Sequence, residues 1–205
     1  MTEWTDRIPL RRLIAESRIL TRTFYARATV EAARDLLGKI LVHGGVAGRI
    51  IETEAYLGLD DRAAHASRGI TPRTRVLFGP PGHAYVYFVY GVHECLNLVT
   101  EADGTPGCVL IRAIEPLAGI GRMRQRRPAA RRVEDLTSGP GKLAAALGIT
   151  RSLYGADLTR GALTVRGLRQ EPPMDIEVTP RIGIRECADW PLRFVEKKLA
   201  RCLTS

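Results

Sequence analysis

Hydrophobic and polar positions sort at a two-residue period in the segment from Ile50 to Leu57, as they do in a β-strand. One face of this predicted strand carries Ile50, Glu52, Glu54 and Tyr56. A second segment, from His83 to Gly91, has the same period and places four aromatic rings within six residues. Its one face carries His83, Tyr85, Tyr87 and Val89, and its other face carries Ala84, Val86, Phe88 and Tyr90. Two carboxylates and a row of rings predict an acid or base beside a slot for a flat molecule.

Turn and cap signals place the neighbouring elements. Thr29 is predicted to cap a helix from Val30 to Leu37 that ends at Gly38. Gly44 and Gly45 predict a hairpin between two strands, Lys39 to His43 and Val46 to Leu57. Three more strands are predicted at Tyr85 to Tyr90, Leu96 to Thr100 and Cys108 to Ile114. Because only short turns separate these strands, we expect them to pair antiparallel.

The pattern becomes helical after Pro116, and Ser138 to Gly148 is predicted to form a helix with Pro140 in its first turn. With 205 residues and 45% hydrophobic content, the chain can bury one full core. We therefore predict an α+β fold: a single compact domain with a curved, mainly antiparallel β-sheet flanked by helices. The predicted divisions are a polar N-terminal extension at 1–23, one domain at 24–196 and a C-terminal tail at 197–205.

The charge of the chain favours phosphate-bearing partners. The net charge is +9, and only four of the 31 basic residues are lysines. Arginine suits bidentate phosphate contacts and stacking on bases. Six arginines crowd into the eleven residues from Arg122 to Arg132. That run indicates either a solvated helix end or a phosphate contact, for which Arg124, Arg126 and Arg127 are the candidates.

The four cysteines lie at positions 95, 108, 187 and 202, without the spacing of a zinc site or of a disulfide framework. Reduced, structural thiols and no metal are therefore expected. The segment from Met1 to Pro9 has no apolar run, so neither a signal peptide nor a membrane span is predicted there. We expect a cytoplasmic protein.

Eight words of this sequence, in order, resemble the alkyladenine DNA glycosylase family, also called 3-methyladenine DNA glycosylases. The words are ETEAYLG, DDRAAHASRG, TPRTRVLFGPPG, YVYFVYG, CLN, VLIRAIEPL, SGPGKLAAALGI and PRIGI, and the resemblance runs from about Phe24 to Val195. Several words in fixed order are far more specific than a lone motif.

The resemblance implies an enzyme that removes alkylated or deaminated purines from double-stranded DNA and leaves an abasic site. It implies no metal or organic cofactor, a monomer, and a place of action on DNA, at the nucleoid in a prokaryote. Because the target bond is hidden in the duplex, the damaged nucleotide must be flipped into a pocket. Tyr90 matches the tyrosine that fills the vacated space; a half-buried tyrosine at a strand end is the alternative.

The same resemblance assigns roles to other positions. Glu54 matches the general base that activates water, with Glu52 as its rival on the same face. Arg112 matches an arginine that helps to hold this water, unless it is only a paired structural charge. Four residues match the pocket: Tyr56, His65 and Tyr87 stack on the purine, and Asn97 clashes with the amino group of guanine. His65 as a core residue and Asn97 as a turn residue are the alternatives.

Two features leave other readings open. Glu94 stands near the proposed wedge, where the family commonly has a bulky residue, and its charge is expected to weaken local DNA contact.

Lys142 suggests a glycosylase with lyase action. A metal-dependent nuclease would use four carboxylates, namely Glu52, Glu54, Asp60 and Asp61; a damaged-DNA binding protein without catalysis is the last alternative.

Overall fold

The computed structural model describes residues 4–89, 91, 93–170 and 173–197. The strands in this part of the chain are β1 (Ser17–Ile19), β2 (Ile40–His43), β3 (Val46–Tyr56), β4 (Ala84–Val89), β5 (His93–Val99), β6 (Cys108–Ala118), β7 (Thr164–Leu168), β8 (Ile176–Thr179) and β9 (Arg193–Glu196). The α-helices are α1 (Leu10–Ala15), α2 (Arg22–Tyr25), α3 (Thr29–Asp35), α4 (Ile120–Arg126) and α5 (Pro140–Leu147). Short 3-10 helices lie at His65–Arg68, Arg75–Phe78, Glu134–Leu136 and Arg151–Leu153.

All nine strands join one open antiparallel sheet. Its main order is β1-β7-β2-β3-β6-β5-β4, and β9 pairs with both β3 and β8. The predicted α+β fold with a mainly antiparallel sheet in one compact domain is confirmed. The Gly44–Gly45 hairpin is also found where it was predicted, with His43 opposite Val46.

The long strands β3 and β6 form the centre of the sheet, from the pair Ala47–Ala118 at one end to Tyr56–Cys108 at the other. A bulge interrupts their register between Ile50 and Glu52. As a result, Ile50 packs in the main core, to which Ala55 of the same strand also belongs. The prediction that Ile50 shares a face with the two glutamates is therefore wrong, because the bulge inserts one residue into the alternation.

The main core lies between the sheet and two helices. The buried side chains of these helices are Ala32, Ala33 and Leu36 at α3, and Leu143, Ala144, Ala146 and Leu147 at α5. The Thr53 hydroxyl donates to the Ala33 carbonyl at 2.8 Å, which ties β3 to α3. The predicted helix at Pro140 is confirmed, and Gly148 ends it with a left-handed backbone (φ 69°).

Three local predictions differ from the structure. Thr29 is the first residue of α3, and its hydroxyl donates to Glu101 at 2.7 Å instead of capping the helix. The strand β6 continues through Pro116 to Ala118, and the proline lies next to a register irregularity, the kind of position where strands tolerate proline. The segment treated as an extension contributes β1, which pairs with β7. Residues 198–205 of the predicted tail lie outside the described residues.

Candidate active site

A cavity of about 330 Å³ lies at the Tyr56–Cys108 end of the central strands. It is lined by side chains from β3, β4, β5 and β6, by the 3-10 helix that begins at His65, and by the segment from Ile182 to Ile184. Five residues that the sequence assigned to the site line it together: Tyr56, His65, Tyr87, Asn97 and Arg112. The volume is at the small end of the usual range for ligand pockets, about 300–1,000 Å³.

Glu54 lies directly behind the wall of this cavity, and its side chain is fully buried. Its Oε1 accepts the Ile182 amide at 2.8 Å and pairs with Arg112 Nη1 at 3.2 Å. Its Oε2 accepts the Tyr56 hydroxyl at 3.0 Å. All three donors belong to residues that line the cavity. Because a carboxylate has about four acceptor positions, Oε2 keeps capacity for one further donor, such as a water molecule.

Glu52 has a different environment from Glu54. Its Oε1 accepts from Arg112 Nε at 3.0 Å and from Arg193 Nε at 2.6 Å. Arg112 thus bridges the two carboxylates, which would otherwise repel each other in the interior. Burial lowers the pKa of Arg112, but the charges of Glu54 and Glu52 outweigh that effect and raise it. The cation therefore stays charged beside both glutamates.

The aromatic side chains form one continuous wall. The ring centres of His65 and Tyr87 are 4.6 Å apart with an angle of 81° between the planes, and those of Tyr85 and Tyr87 are 5.2 Å apart. A ring stacked between two others needs about 7 Å, twice the stacking distance of bases. A purine therefore does not fit between His65 and Tyr87 in this arrangement, and these two rings offer it a single wall.

The ionisable rings of the wall are neutral at physiological pH. Burial, with smaller contributions from Arg73 and Arg68, lowers the pKa of His65 to about 4. Arg73 Nη2 can only donate and lies 3.4 Å from His65 Nε2, so His65 Nε2 is the acceptor. The proton of the neutral imidazole is therefore assigned to Nδ1, which lies 2.9 Å from the Tyr85 hydroxyl. Burial also raises the pKa of Tyr85 to about 12.

The phenols of Tyr56 and Tyr87 are held in the same neutral state. Burial raises the pKa of Tyr87, and burial followed by the charge of Glu54 raises that of Tyr56. Two thiols, Cys95 and Cys108, also line the cavity as free cysteines. Burial raises the pKa of Cys108 to about 12, so this thiol stays protonated and is a poor nucleophile.

Asn97 lies within β5 and not in a turn, and it is buried at the cavity wall. Its amide Nδ2 donates to the Tyr85 carbonyl at 3.2 Å, and its Oδ1 accepts a weak bond from the Cys108 thiol at 3.9 Å. These bonds fix the orientation of the amide and leave one N–H of Nδ2 for another partner.

The three arginines predicted to contact DNA do not line the cavity. Tyr90 is outside the described residues. Arg124, Arg126 and Arg127 belong to α4 and its end, which follows β6 at the end of the sheet opposite the cavity. Each donates to backbone carbonyls: Arg124 to Arg127 at 3.0 Å, Arg126 to Ala146 at 2.9 Å and Arg127 to Asp135 at 2.9 Å. Their role as phosphate contacts stays a prediction.

Four of the five residues named for the lyase and nuclease alternatives have protein partners. Asp61 is paired with Arg181, as Glu52 and Glu54 are with Arg112, and Lys142 Nζ donates to Ser138 at 3.1 Å. No group of three or more potential metal ligands occurs within the described ranges. Glu94, the residue that departs from the family pattern, accepts the Arg151 amide at 3.3 Å and lies 3.5 Å from its Nε.

Sequence reasoning missed three participants. The Ile182 amide bonds to Glu54, and Arg181 and Asp61 form a buried pair beside it. The word PRIGI contains Arg181 and Ile182 and was part of the resemblance, but no role was attached to it. Asp61 was considered only as a metal ligand. A backbone donor has no residue signature, so only the resemblance itself could have pointed to this segment.

A buried carboxylate behind an aromatic cavity, in a basic chain, is the arrangement expected of a hydrolase that removes a base from a nucleic acid. Comparison with known proteins gives the same class. Residues 23–200 match the model of the methylpurine-DNA glycosylase (MPG) family. The chain belongs to this family of DNA repair enzymes, which hydrolyse N-glycosyl bonds. The resemblance inferred from the eight words is thus confirmed.

Three curated relatives carry the name "Putative 3-methyladenine DNA glycosylase". The protein from Methanocella arvoryzae is 53% identical over 189 residues, covering 87% of this chain and 92% of its own length. The protein from Methanoculleus marisnigri is 50% identical, covering 87% and 95%. The protein from Chlorobaculum parvum is 50% identical, covering 83% of each chain.

In the described part of this chain, no helix is long and apolar enough to span a bilayer.

Proposed function

We propose that this protein is a monofunctional DNA glycosylase that flips alkylated purines, of the 3-methyladenine and 7-methylguanine type, and some deaminated purines out of double-stranded DNA. Glu54 activates the water that hydrolyses the N-glycosidic bond, and the product is an abasic site. The observation that carries this proposal is the Glu54 carboxylate, which has three donors from cavity residues and capacity for a water on Oε2.

The hydrolysis needs one water molecule and one base. The bond between the purine nitrogen and the sugar C1′ breaks, and its electron pair leaves with the purine. The water oxygen bonds to C1′ and transfers a proton to Glu54. The carboxylate also stabilises the positive charge that develops on the sugar, which is most effective in a site that excludes bulk water. Arg112 holds the carboxylate from one side and contributes to placing the water.

The cavity wall supports a preference for cationic purines. Alkylation at a ring nitrogen makes the purine positively charged and a good leaving group. Electron-rich rings such as Tyr56 and Tyr87 attract a cation by about 0.5–2 kcal/mol. His65 is neutral because burial depresses its pKa, so it adds a ring face without repelling the base. Asn97 at the same wall disfavours guanine through its amino group. In 7-methylguanine, which has the same group, the attraction of the cationic ring to the aromatic wall compensates for this clash.

The remaining parts of the proposal concern the DNA. Tyr90 fills the space left by the flipped nucleotide, and Arg124, Arg126 and Arg127 contact phosphates away from the lesion. The enzyme acts as a monomer without a metal or organic cofactor. Its place of action is the cytoplasm, at the nucleoid in a prokaryotic cell.

The decisive experiment measures release of free bases from methylated double-stranded DNA in the presence of EDTA. We expect free 3-methyladenine and 7-methylguanine, and strand breaks only after alkali has cleaved the abasic sites. Breaks before alkali would favour lyase or nuclease action, and loss of activity in EDTA would favour a metal enzyme. Binding without any base release would leave only a damaged-DNA binding protein.

A further inference from the structure

Asp61 and Arg181 form a buried ion pair next to the cavity. Both side chains are fully buried, and the pairing is bidentate: Nη1 lies 2.5 Å from Oδ2, and Nη2 lies 2.8 Å from Oδ1. Burying two charges is costly even when they are paired, and a well-packed apolar pair often stabilises a fold equally well. Fold stability alone is therefore a weak explanation for this pair.

The aspartate organises the loop that leaves β3. Its Oδ2 accepts the Leu57 amide at 3.1 Å, and its Oδ1 accepts the Ala63 amide at 3.1 Å. These bonds close the turn between Tyr56 and the 3-10 helix that begins at His65, and both of these residues line the cavity. Asp61 thus fixes one side of the cavity mouth.

The arginine organises the segment on the other side. Its Nη1 donates to the Ala55 carbonyl at 3.0 Å, and its guanidinium carbon lies 4.7 Å from the centre of the Tyr56 ring. The next residue, Ile182, lines the cavity and donates its amide to Glu54 Oε1 at 2.8 Å. The pair therefore joins two segments that are 120 residues apart, with Glu54 and its phenol partner between them.

We propose that Asp61 and Arg181 are positioning residues that hold the Ile182 amide on Glu54 and so aim the free acceptor of the carboxylate at the water. This inference rests on the proposed function of Glu54. Neither side chain touches the substrate. If the pair is lost, the Ile182 segment shifts and the carboxylate gains rotational freedom, and a misplacement of about 1 Å costs about 100-fold in rate.

The test measures single-turnover base release at increasing enzyme concentration on a duplex with one defined lesion that the wild-type enzyme excises. Asp61→Asn/Arg181→Met removes both charges at similar volume, so neither charge is left unpaired. We expect its saturating rate to fall about 30-fold. The enzyme concentration for half-saturation should change by less than about threefold, because phosphate contacts elsewhere dominate affinity. Arg181→Lys keeps the positive charge but loses the planar guanidinium that pairs with both carboxylate oxygens, and its rate should fall about tenfold.

Arg49→Met is the matched control. Arg49 also lies on β3, and its guanidinium pairs with Glu196 at 2.8 Å and with Glu115 at 2.9 Å, away from the cavity. We expect this variant to keep the wild-type rate and half-saturation.

A folded double variant with the wild-type rate would overturn the proposal. So would a loss that appears only as weaker DNA binding, or an equal loss in Arg49→Met. If the double variant does not fold, Arg181→Lys decides alone, and its wild-type rate would reject the role. A wild-type enzyme that releases no base from any lesion would instead refute the proposed function.

Discussion

The two ends of the central β3–β6 pair use arginine in opposite ways. At the cavity end, Arg112 and Arg181 are at most 13% exposed, and each is paired with carboxylates. At the other end, the arginines of α4 bond to backbone carbonyls, and Arg126 is exposed. Roughly 30 Å of strand separates the two ends. We propose that the first set fixes the geometry of the candidate site and that the second keeps donors available for a partner.

If the cavity is the reacting site, as proposed, the density of arginines in the sequence does not locate it. The densest run of arginines lies at α4, whereas the two arginines that hold the cavity are isolated in the sequence. The two groups of arginines differ in their partners. A buried carboxylate holds a guanidinium in place, whereas a backbone carbonyl accepts from only some of the five N–H donors of the guanidinium. The predictions below test this division.

Glu54→Gln is expected to have the largest effect. The amide cannot accept the proton of water, so single-turnover base release should fall by about 100-fold to 10,000-fold, while affinity for lesion-bearing duplex is kept. Glu52→Gln should cost no more than about tenfold, because Glu52 only helps to hold Arg112. Equal losses in the two variants would remove the distinction between the carboxylates.

Arg112→Met should destabilise the fold more than an arginine substitution at the α4 end. Glu54 loses its only arginine contact at hydrogen-bonding distance among the described residues, and we expect unfolding to become easier by about 3 kcal/mol. Arg124→Met at the α4 end removes bonds to the Arg127 and Pro128 carbonyls and the contact with the Trp4 ring, but it leaves no buried charge unpaired and should cost about 1 kcal/mol. Urea unfolding of both variants measures this contrast. Similar costs at the two ends would contradict it.

Arg126→Gln tests whether the α4 end contacts DNA. If one phosphate contact is lost, the slope of log binding constant against log salt concentration should become shallower by about 0.9. The saturating excision rate should stay unchanged, because the cavity is at the other end. An unaltered salt slope would show that Arg126 makes no phosphate contact and only bonds to the Ala146 carbonyl.

His65→Gln should have the smallest effect on stability, and that effect should appear in the pH dependence of unfolding. Burial lowers the pKa of His65 from 6.5 to about 4, so the unfolded chain binds more protons than the folded one between these values. Stability from this group is therefore complete above pH 6.5 and is lost as the pH falls towards 4. Urea midpoints at pH 7 and pH 5 should differ less in the variant than in the wild type.

Much of the fold followed from local patterns in the sequence. The hairpin at Gly44–Gly45 and the helix at Pro140 depend on short-range backbone preferences, and both formed where they were expected. The bulge after Ile50 did not follow, because it arises from the register with β6, a partner far along the chain. The pairing of β1 with β7 was missed for the same reason.

The sequence predicted the side chains that line the candidate site but not the residues that hold them in place. Strand alternation grouped Tyr56 with the two glutamates and Tyr87 with Tyr85, and the resemblance supplied the other lining residues. The Ile182 amide and the Asp61–Arg181 pair depend on segments that meet only in the folded chain. The edge-to-face contact of His65 with Tyr87 likewise depends on tertiary packing.

The central claim is that the carboxylate at position 54 directs a water at the sugar of a flipped purine. Its most direct test is a crystal structure of the Glu54→Gln variant bound to a duplex with one excisable lesion. We predict an intact lesion base in the cavity against Tyr87, and a water between the side chain at position 54 and C1′. A lesion base outside the cavity, or a water near C1′ held only by other residues, would contradict the account.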